Sequence, residues 1–191
     1  MSTATSEITA QMALIRDSRL RKAGLYGGYA KADCEAGKAA YSNALRGVGT
    51  YLHGKTGRGK TYIAASAVRR YVDSGRQARM LTGKKLLDGI KAAMGRDCDD
   101  PHFIERLERI PLLAIDDLGM EYDTDWAVSE LCALLNERIN RGLPTIITSN
   151  HRLGEISDKW GVQGERLASR IAGSCAVVLV DGPDRRMQCR P

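Results

Sequence analysis

The sequence predicts an α/β fold, with a parallel sheet covered by helices on both faces. Residues 112–115 are apolar throughout and residues 145–148 are β-branched throughout, as strands buried on both faces must be. Segments with helical periodicity alternate with these and other short strand patterns, the signature of βαβ units. A glycine-rich turn from Gly54 to Gly59 joins a strand pattern to a helix pattern that opens at Lys60.

Residues 5–22 read as an amphipathic helix, with Ile8, Met12 and Ile15 at helical spacing. Arg19, Arg21 and Lys22 stand at its C-terminal end, where cations suit the helix dipole, and Gly24 caps it. A turn-rich connection, Leu25-Tyr-Gly-Gly-Tyr29, leads to a second helix over 31–45. The strand at 48–52, the glycine-rich turn and a helix over 60–71 follow. A short strand at 78–81 precedes helices over 84–94 and 100–109. Pro111 and Asp116 bound the strand at 112–115. The helix over 125–141 carries Leu131, Leu134, Leu135 and Ile139 along one side, and Gly142 with Pro144 stops it. The strand at 145–148, a helix over 164–171 and a strand at 175–180 complete the set, giving five strands.

With 191 residues, the chain is long enough for one domain with a short appendage. Its 43% hydrophobic and 27% charged residues are ordinary for a globular protein and exclude wholesale disorder. No apolar run approaches the roughly 18 residues of a membrane span, and the N-terminus lacks the pattern of a secretory signal. Cys34, Cys98, Cys132, Cys175 and Cys189 are scattered and form no C-x-x-C pair, which predicts free thiols and a cytoplasmic setting. A net charge of +6 permits a polyanionic partner. Three histidines and one phenylalanine disfavour a histidine metal site or an aromatic base-stacking platform.

Four motifs carry chemistry. Gly54-Lys-Thr-Gly-Arg-Gly-Lys60-Thr61 fits G-x-x-x-x-G-K-[ST], in which glycines let backbone N–H groups curl round phosphates at a helix N-terminus. Gly54, Lys55, Thr56, Gly57, Arg58, Gly59, Lys60, Thr61 and the next residue, Tyr62, are therefore expected to line ATP. Lys60 would reach the β- and γ-phosphates, and the Thr61 hydroxyl would ligate Mg²⁺. Leu112-Leu-Ala-Ile-Asp116-Asp117 places two acids at the C-terminal edge of a buried strand, where ligands bind in open parallel sheets. Asp116 would hold Mg²⁺, and Asp117 would orient the attacking water. Thr145-Ile-Ile-Thr-Ser-Asn150 ends on a polar residue placed to meet the γ-phosphate and that water, unless Asn150 merely begins a turn. In Gly164-Glu-Arg166-Leu-Ala-Ser-Arg170-Ile171, two arginines share one helical face; Arg170 could reach the nucleotide of an adjacent subunit, or the pair could be a solvated basic face.

These four motifs, in this order, resemble those of AAA+ ATPases of the bacterial helicase-loader family (the DnaC/DnaI type), with which the IstB-type transposition helper ATPases share a clade. The resemblance spans residues 25–186. It implies an AAA+ P-loop three-layer sandwich with a five-stranded parallel sheet and a lid domain that is missing or minimal. Residues 1–24 then form an N-terminal helical segment able to bind a partner, and residues 25–191 the ATPase core. The resemblance casts Asn150 as the first sensor, Arg170 as an arginine finger acting in trans, and Arg166 as a structural or interface residue. Arg185 and Arg186 match a basic pair that partly serves as a second sensor, with Arg186 at the nucleotide. Two departures matter. Asp-Asp stands where Asp-Glu is common, which suits slow hydrolysis. Without a lid, Leu25, Tyr26 and Tyr29 become candidates for covering the adenine, or else they pack the N-terminal segment onto the core.

By the same resemblance, Lys84, Lys85, Arg69 and Arg70 are candidate contacts to single-stranded DNA, with a solvated surface as the ordinary alternative. Ile8, Met12 and Ile15 either dock a partner or pack on their own core. The expected activity is that of an ATP-dependent replication factor loading a hexameric DnaB-type helicase onto DNA, as a homo-oligomer when ATP is bound. A transposition helper ATPase, partnering a transposase on target DNA, is the alternative. A small-molecule P-loop kinase fits less well, because Asn150 is sensor-like and no arginine-rich lid is present.

Overall fold

The computed structural model describes residues 2–95, 100–119 and 125–184. Its five strands are β1 (Gly49–His53), β2 (Ala78–Thr82), β3 (Leu112–Leu118), β4 (Thr145–Ser149) and β5 (Cys175–Leu179). They pair in parallel in the order β2-β3-β4-β1-β5. Because successive side chains of a strand point to opposite faces, the apolar runs feed two cores at once. Leu52, Leu112, Ala114 and Ile146 enter one core, while Tyr51, Leu113, Ile115 and Ile147 enter the other.

The first core is closed by α1 (Ser2–Lys22), α2 (Glu35–Leu45) and α3 (Lys60–Asp73). The second is closed by α4 (Gly83–Ala93), α5 (Phe103–Arg109), α6 (Asp125–Asn140) and α7 (Leu153–Ser174). The result is the predicted three-layer sandwich. Among the described residues no helix follows β5, and no helix is long and apolar enough to cross a membrane.

Several predicted boundaries moved, for identifiable reasons. The helix expected over 31–45 begins only at Glu35, after a 3₁₀ turn, Gly27–Lys31, inside the expected connection. Cys34 is extended (φ −161°, ψ 158°), and its N–H donates to Ser66 Oγ on α3 at 3.2 Å, so tertiary pairing overrides the helical pattern there. The helix expected over 100–109 starts at Phe103. The helix expected over 164–171 is the second half of α7, which bends at Gly161 (φ 53°, ψ −139°). Its first half was missed because Arg152, at the N-cap, is not a capping residue type, although Glu155 Oε2 accepts from the Arg152 N–H at 2.7 Å.

The end of α1 belongs to the first core through Leu20, and Ala23 and Leu25 join it. The Met80 N–H donates to the Ala23 carbonyl at 2.7 Å, which covers the outer edge of β2. A Cβ on Gly24 (φ 88°) would lie 2.2 Å from the Met80 carbonyl oxygen, so this approach requires glycine. Ile8, Met12 and Ile15 do not pack on the core: each is more than half exposed. On the opposite side, Arg138 is fully buried and donates to Thr145 Oγ1 (2.9 Å) and to the carbonyls of Leu107 (2.6 Å), Ile110 (2.9 Å) and Pro144 (2.7 Å). Burial pushes its pKa down to about 10. Cys34, Cys132 and Cys175 are free thiols, while Cys98 and Cys189 lie outside the described residues.

Candidate nucleotide site

The glycine-rich turn leaves the C-terminal end of β1 and opens α3, so its backbone stands at a helix N-terminus. Gly54, Gly57 and Gly59 all have positive φ (146°, 82° and 93°), a path that side-chain-bearing residues rarely adopt. Lys60, only 7% exposed, folds back over the turn. Its Nζ donates to the carbonyls of Gly54 (2.6 Å) and Lys55 (3.0 Å) and to Asn150 Oδ1 (2.8 Å). Thr56 Oγ1 donates to the same Asn150 oxygen at 3.4 Å. Asn150, at the tip of β4, therefore contacts the turn directly.

β3 brings in the acids. Asp116 pairs in register with Thr82 of β2, and its two carboxylate oxygens accept from Thr61 (3.2 Å) and Thr148 (2.7 Å). Burial pushes the Asp116 carboxyl above the usual carboxylate range, against the lowering effect of those two hydroxyls. After Asp116 the β3–β4 register breaks between Ile115 and Leu118, and Asp117 takes a left-handed conformation (φ 59°). The break turns Asp117 toward Asn150, whose Nδ2 donates to Asp117 Oδ1 at 3.3 Å. Thr148 Oγ1 accepts from the Asp117 N–H at 2.8 Å, so this one hydroxyl holds both acids. The sequence pattern pointed to Asn150 at the tip of β4 and not to Thr148, two residues before it.

The donor set fits a triphosphate with a hard divalent cation. Gly54, Gly57 and Gly59 shape an anion cradle, and the buried Lys60 ammonium points into it, donating to the carbonyls of Gly54 and Lys55 and to Asn150 Oδ1. Thr61 and Asp116 offer adjoining oxygens, the ligand type that Mg²⁺ prefers, and leave further coordination to water and phosphate. No cluster of three or more His, Cys, Asp or Glu side chains suited to a metal occurs among the described residues.

The segment after β5 also leans on the turn. Arg58 donates to the Gly182 carbonyl, and a Cβ on Gly57 would meet the Asp184 carboxylate at 2.2 Å. Neither contact was legible in the sequence. Arg185 and Arg186 lie outside the described residues.

The chain matches, over residues 46–190, the model of a family described as IstB-like ATP binding protein. It belongs to that family. Among its relatives, the replicative helicase loader DnaI of Bacillus subtilis (strain 168) is 28% identical over 160 residues, covering 77% of this chain and 50% of the loader. A protein of an insertion sequence in Mycobacterium tuberculosis, described as ATP-binding, is 28% identical over 151 residues, covering 76% of this chain and 58% of that protein. The chain thus spans about half the length of the curated relatives it matches. The crystal structure of the DnaC helicase loader superposes with a TM-score of 0.66 at 24% identity, over 76% of this chain and 86% of that one, a likeness of fold. The IstB-like chain therefore has the AAA+ sandwich expected of its motifs.

The other expected site residues fall in several places. Tyr62 stands in the first turn of α3, and its hydroxyl accepts from the Asp33 N–H at 3.1 Å. Tyr26 and Tyr29 are exposed, whereas Leu25 is 1% exposed within the first core, so it packs the N-terminal segment and offers no adenine surface. Arg69 and Arg70 are engaged inside the chain rather than presented to a partner. Arg69 donates to the Ala32 carbonyl (2.7 Å) and to Asp73 (3.2 Å), and Arg70 pairs with Asp33. Lys84 and Lys85 are exposed on the first turn of α4, at the same sheet edge as the phosphate turn. Arg166 and Arg170 are exposed on α7 beside Cys132 and Asn136 of α6, with no ion pair among the described residues. Arg170 lies one turn before β5, whose start pairs with Gly49 at the far end of β1 from the phosphate turn. Arg170 therefore stands toward the end of the sheet away from its own candidate site.

Proposed function

We propose that this IstB-like chain is a slow, Mg²⁺-dependent ATPase that loads a replicative hexameric helicase onto DNA, with each site completed by Arg170 of a neighbouring protomer. The observation that carries the catalytic part is the contact chain Lys60–Asn150–Asp117, which links the phosphate turn, the tip of β4 and the end of β3. In the hydrolytic state Lys60 exchanges its carbonyl acceptors for β- and γ-phosphate oxygens. Thr61 and Asp116 would hold the cation, which would screen the phosphate charge. Asp117 and Asn150 accept and donate hydrogen bonds to the attacking water, aiming its lone pair at the γ-phosphorus. The bond from the γ-phosphorus to the ADP oxygen breaks, and the water's proton passes to the phosphate product or to solvent. Arg170, too far from its own site, would neutralise the spread phosphoryl charge of the next one.

Tyr26 and Tyr29 remain candidates for the adenine side. Lys84 and Lys85 are candidates for single-stranded DNA, and the exposed Ile8, Met12 and Ile15 for docking a helicase. Free thiols at Cys34, Cys132 and Cys175 suit work in the cytoplasm. The kinship to an insertion-sequence protein supports a second reading, in which the client is a transposase on target DNA.

Single variants test the catalytic part. Arg170→Ala is expected to keep ATP binding and to lose DNA-stimulated hydrolysis by about 10³-fold or more, whereas Lys60→Ala loses both. Wild-type turnover by Arg170→Ala would defeat the trans-acting role. Capture with a slowly hydrolysed ATP analogue then separates the clients: a replicative helicase supports the first reading, a transposase the second.

A further inference from the structure

A cleft of about 680 Å³ opens at the sheet edge opposite the phosphate turn, between the end of α1, the α3–β2 turn and α5. Among the described residues, its rim carries Arg19, Lys22, Arg76, Arg79 and Arg106 against a single carboxylate, Asp100. Asp100 is already paired with Arg106. The other four cations have no carboxylate partner among the described residues: Arg76 lies over the Tyr71 ring and reaches Ser74, and Arg79 donates to the Lys22 carbonyl at 2.6 Å. This contrasts with Arg16, Arg21, Lys38, Arg69, Arg70, Arg109 and Arg141, each of which has a carboxylate beside it. Among the described residues, the fold has thus gathered positive charge without carboxylate partners from three elements into one concavity with an apolar floor. α3 runs from the phosphate turn to this cleft, so the two lie about 20 Å apart.

We infer that this cleft is a nucleic-acid site, holding the phosphodiester backbone of DNA through Arg19, Lys22, Arg76 and Arg79. All four are exposed, which decides the ligand class. A small anion needs convergent, desolvated donors to bind in water, and hydrated cations on an open rim supply little to it. A polyanion gains instead by releasing condensed counterions at each neutralised phosphate, for which exposed, spaced cations suffice. The ligand class rests on the reading of the chain as a DNA-acting ATPase. The site itself is independent of the phosphate turn, so binding here needs no ATP.

The test uses the full chain without nucleotide and measures binding of labelled single-stranded and duplex oligonucleotides across a salt series. In the R19Q/K22Q/R76Q/R79Q variant, affinity at low salt should fall at least tenfold. For single strands the slope of log affinity against log salt should shrink by about 3, at about 0.7 for each phosphate released. A control variant, R21Q/K38Q/R109Q/R141Q, removes the same charge where each cation already has a carboxylate, and should lose less than threefold. The milder R19Q/R76Q variant leaves the Arg79–Lys22 contact intact and should shrink the slope by about half as much. Whichever oligonucleotide loses affinity identifies the strand form. Equal losses in the cleft and control variants, unchanged binding in a folded cleft variant, or no binding by the wild-type chain would each overturn the site. ATP binding, read in the same samples, reports separately on the phosphate turn.

Discussion

Asp116 is held in two ways that oppose each other. Burial pushes its proton affinity up, and the hydroxyls of Thr61 and Thr148 pull it down without fully offsetting the burial. An acid whose pKa is raised on folding contributes most to stability below its ordinary value, about 3.9, and loses that contribution as pH rises through the raised value. At neutral pH the ionised carboxylate therefore weakens the nucleotide-free protein. Asp116→Asn should melt a few degrees higher than wild type at pH 7, with the gap closing below about pH 4, and should lose Mg²⁺-dependent ATP binding. A variant that melts lower at pH 7 would show that Asp116 is compensated in some other way. The meeting of Lys60, Thr61 and Asp116 was legible because a glycine-rich turn before a helix and an apolar strand ending in acids both point to one edge of a parallel sheet. Thr148 was not, because a threonine inside a β-branched run looks like any other strand residue.

Helix and strand existence followed closely from periodicity, and the deviations have separate causes. α7 bends at Gly161, which takes a positive φ, within a stretch that has no strong N-terminal signal. Cys34 is drawn out of a helical pattern by Ser66, a contact distant in sequence that decides a local conformation. Arg138 shows the same effect in the core. It sits among leucines on α6, yet its guanidinium satisfies the carbonyls of Leu107, Ile110 and Pro144, tying α5, α6 and the entry to β4 together. Arg138→Ala leaves those carbonyls buried without donors and should cost about 3–5 kcal/mol, lowering the melting temperature by roughly 10 °C. A loss under 1 kcal/mol in chemical denaturation would mean that water replaces the guanidinium.

Across the molecule, the two sheet edges divide the labour. The C-terminal edge carries the phosphate turn, both acids, Asn150 and the exposed Lys84 and Lys85. The opposite edge carries the basic cleft beside β2 and, at the other end of the strand order, the start of β5, into which the Arg170 end of α7 leads. On the proposed function, a protomer built this way would hold nucleotide at one edge and offer Arg170 from elsewhere to a neighbour. Whole-chain charge and composition gave only the permissive statement that a polyanion could bind. The division itself became visible once α1 and α5 were seen to fold beside the α3–β2 turn.

Shared catalysis between copies can be read from a mixture. Lys60→Ala lacks the nucleotide grip but still offers Arg170, and Arg170→Ala keeps the grip but lacks the finger. Each should be nearly inactive alone, and an equimolar mixture with DNA should hydrolyse ATP well above the sum of the two. A mixture no more active than that sum, while wild type turns over under the same conditions, would contradict the account.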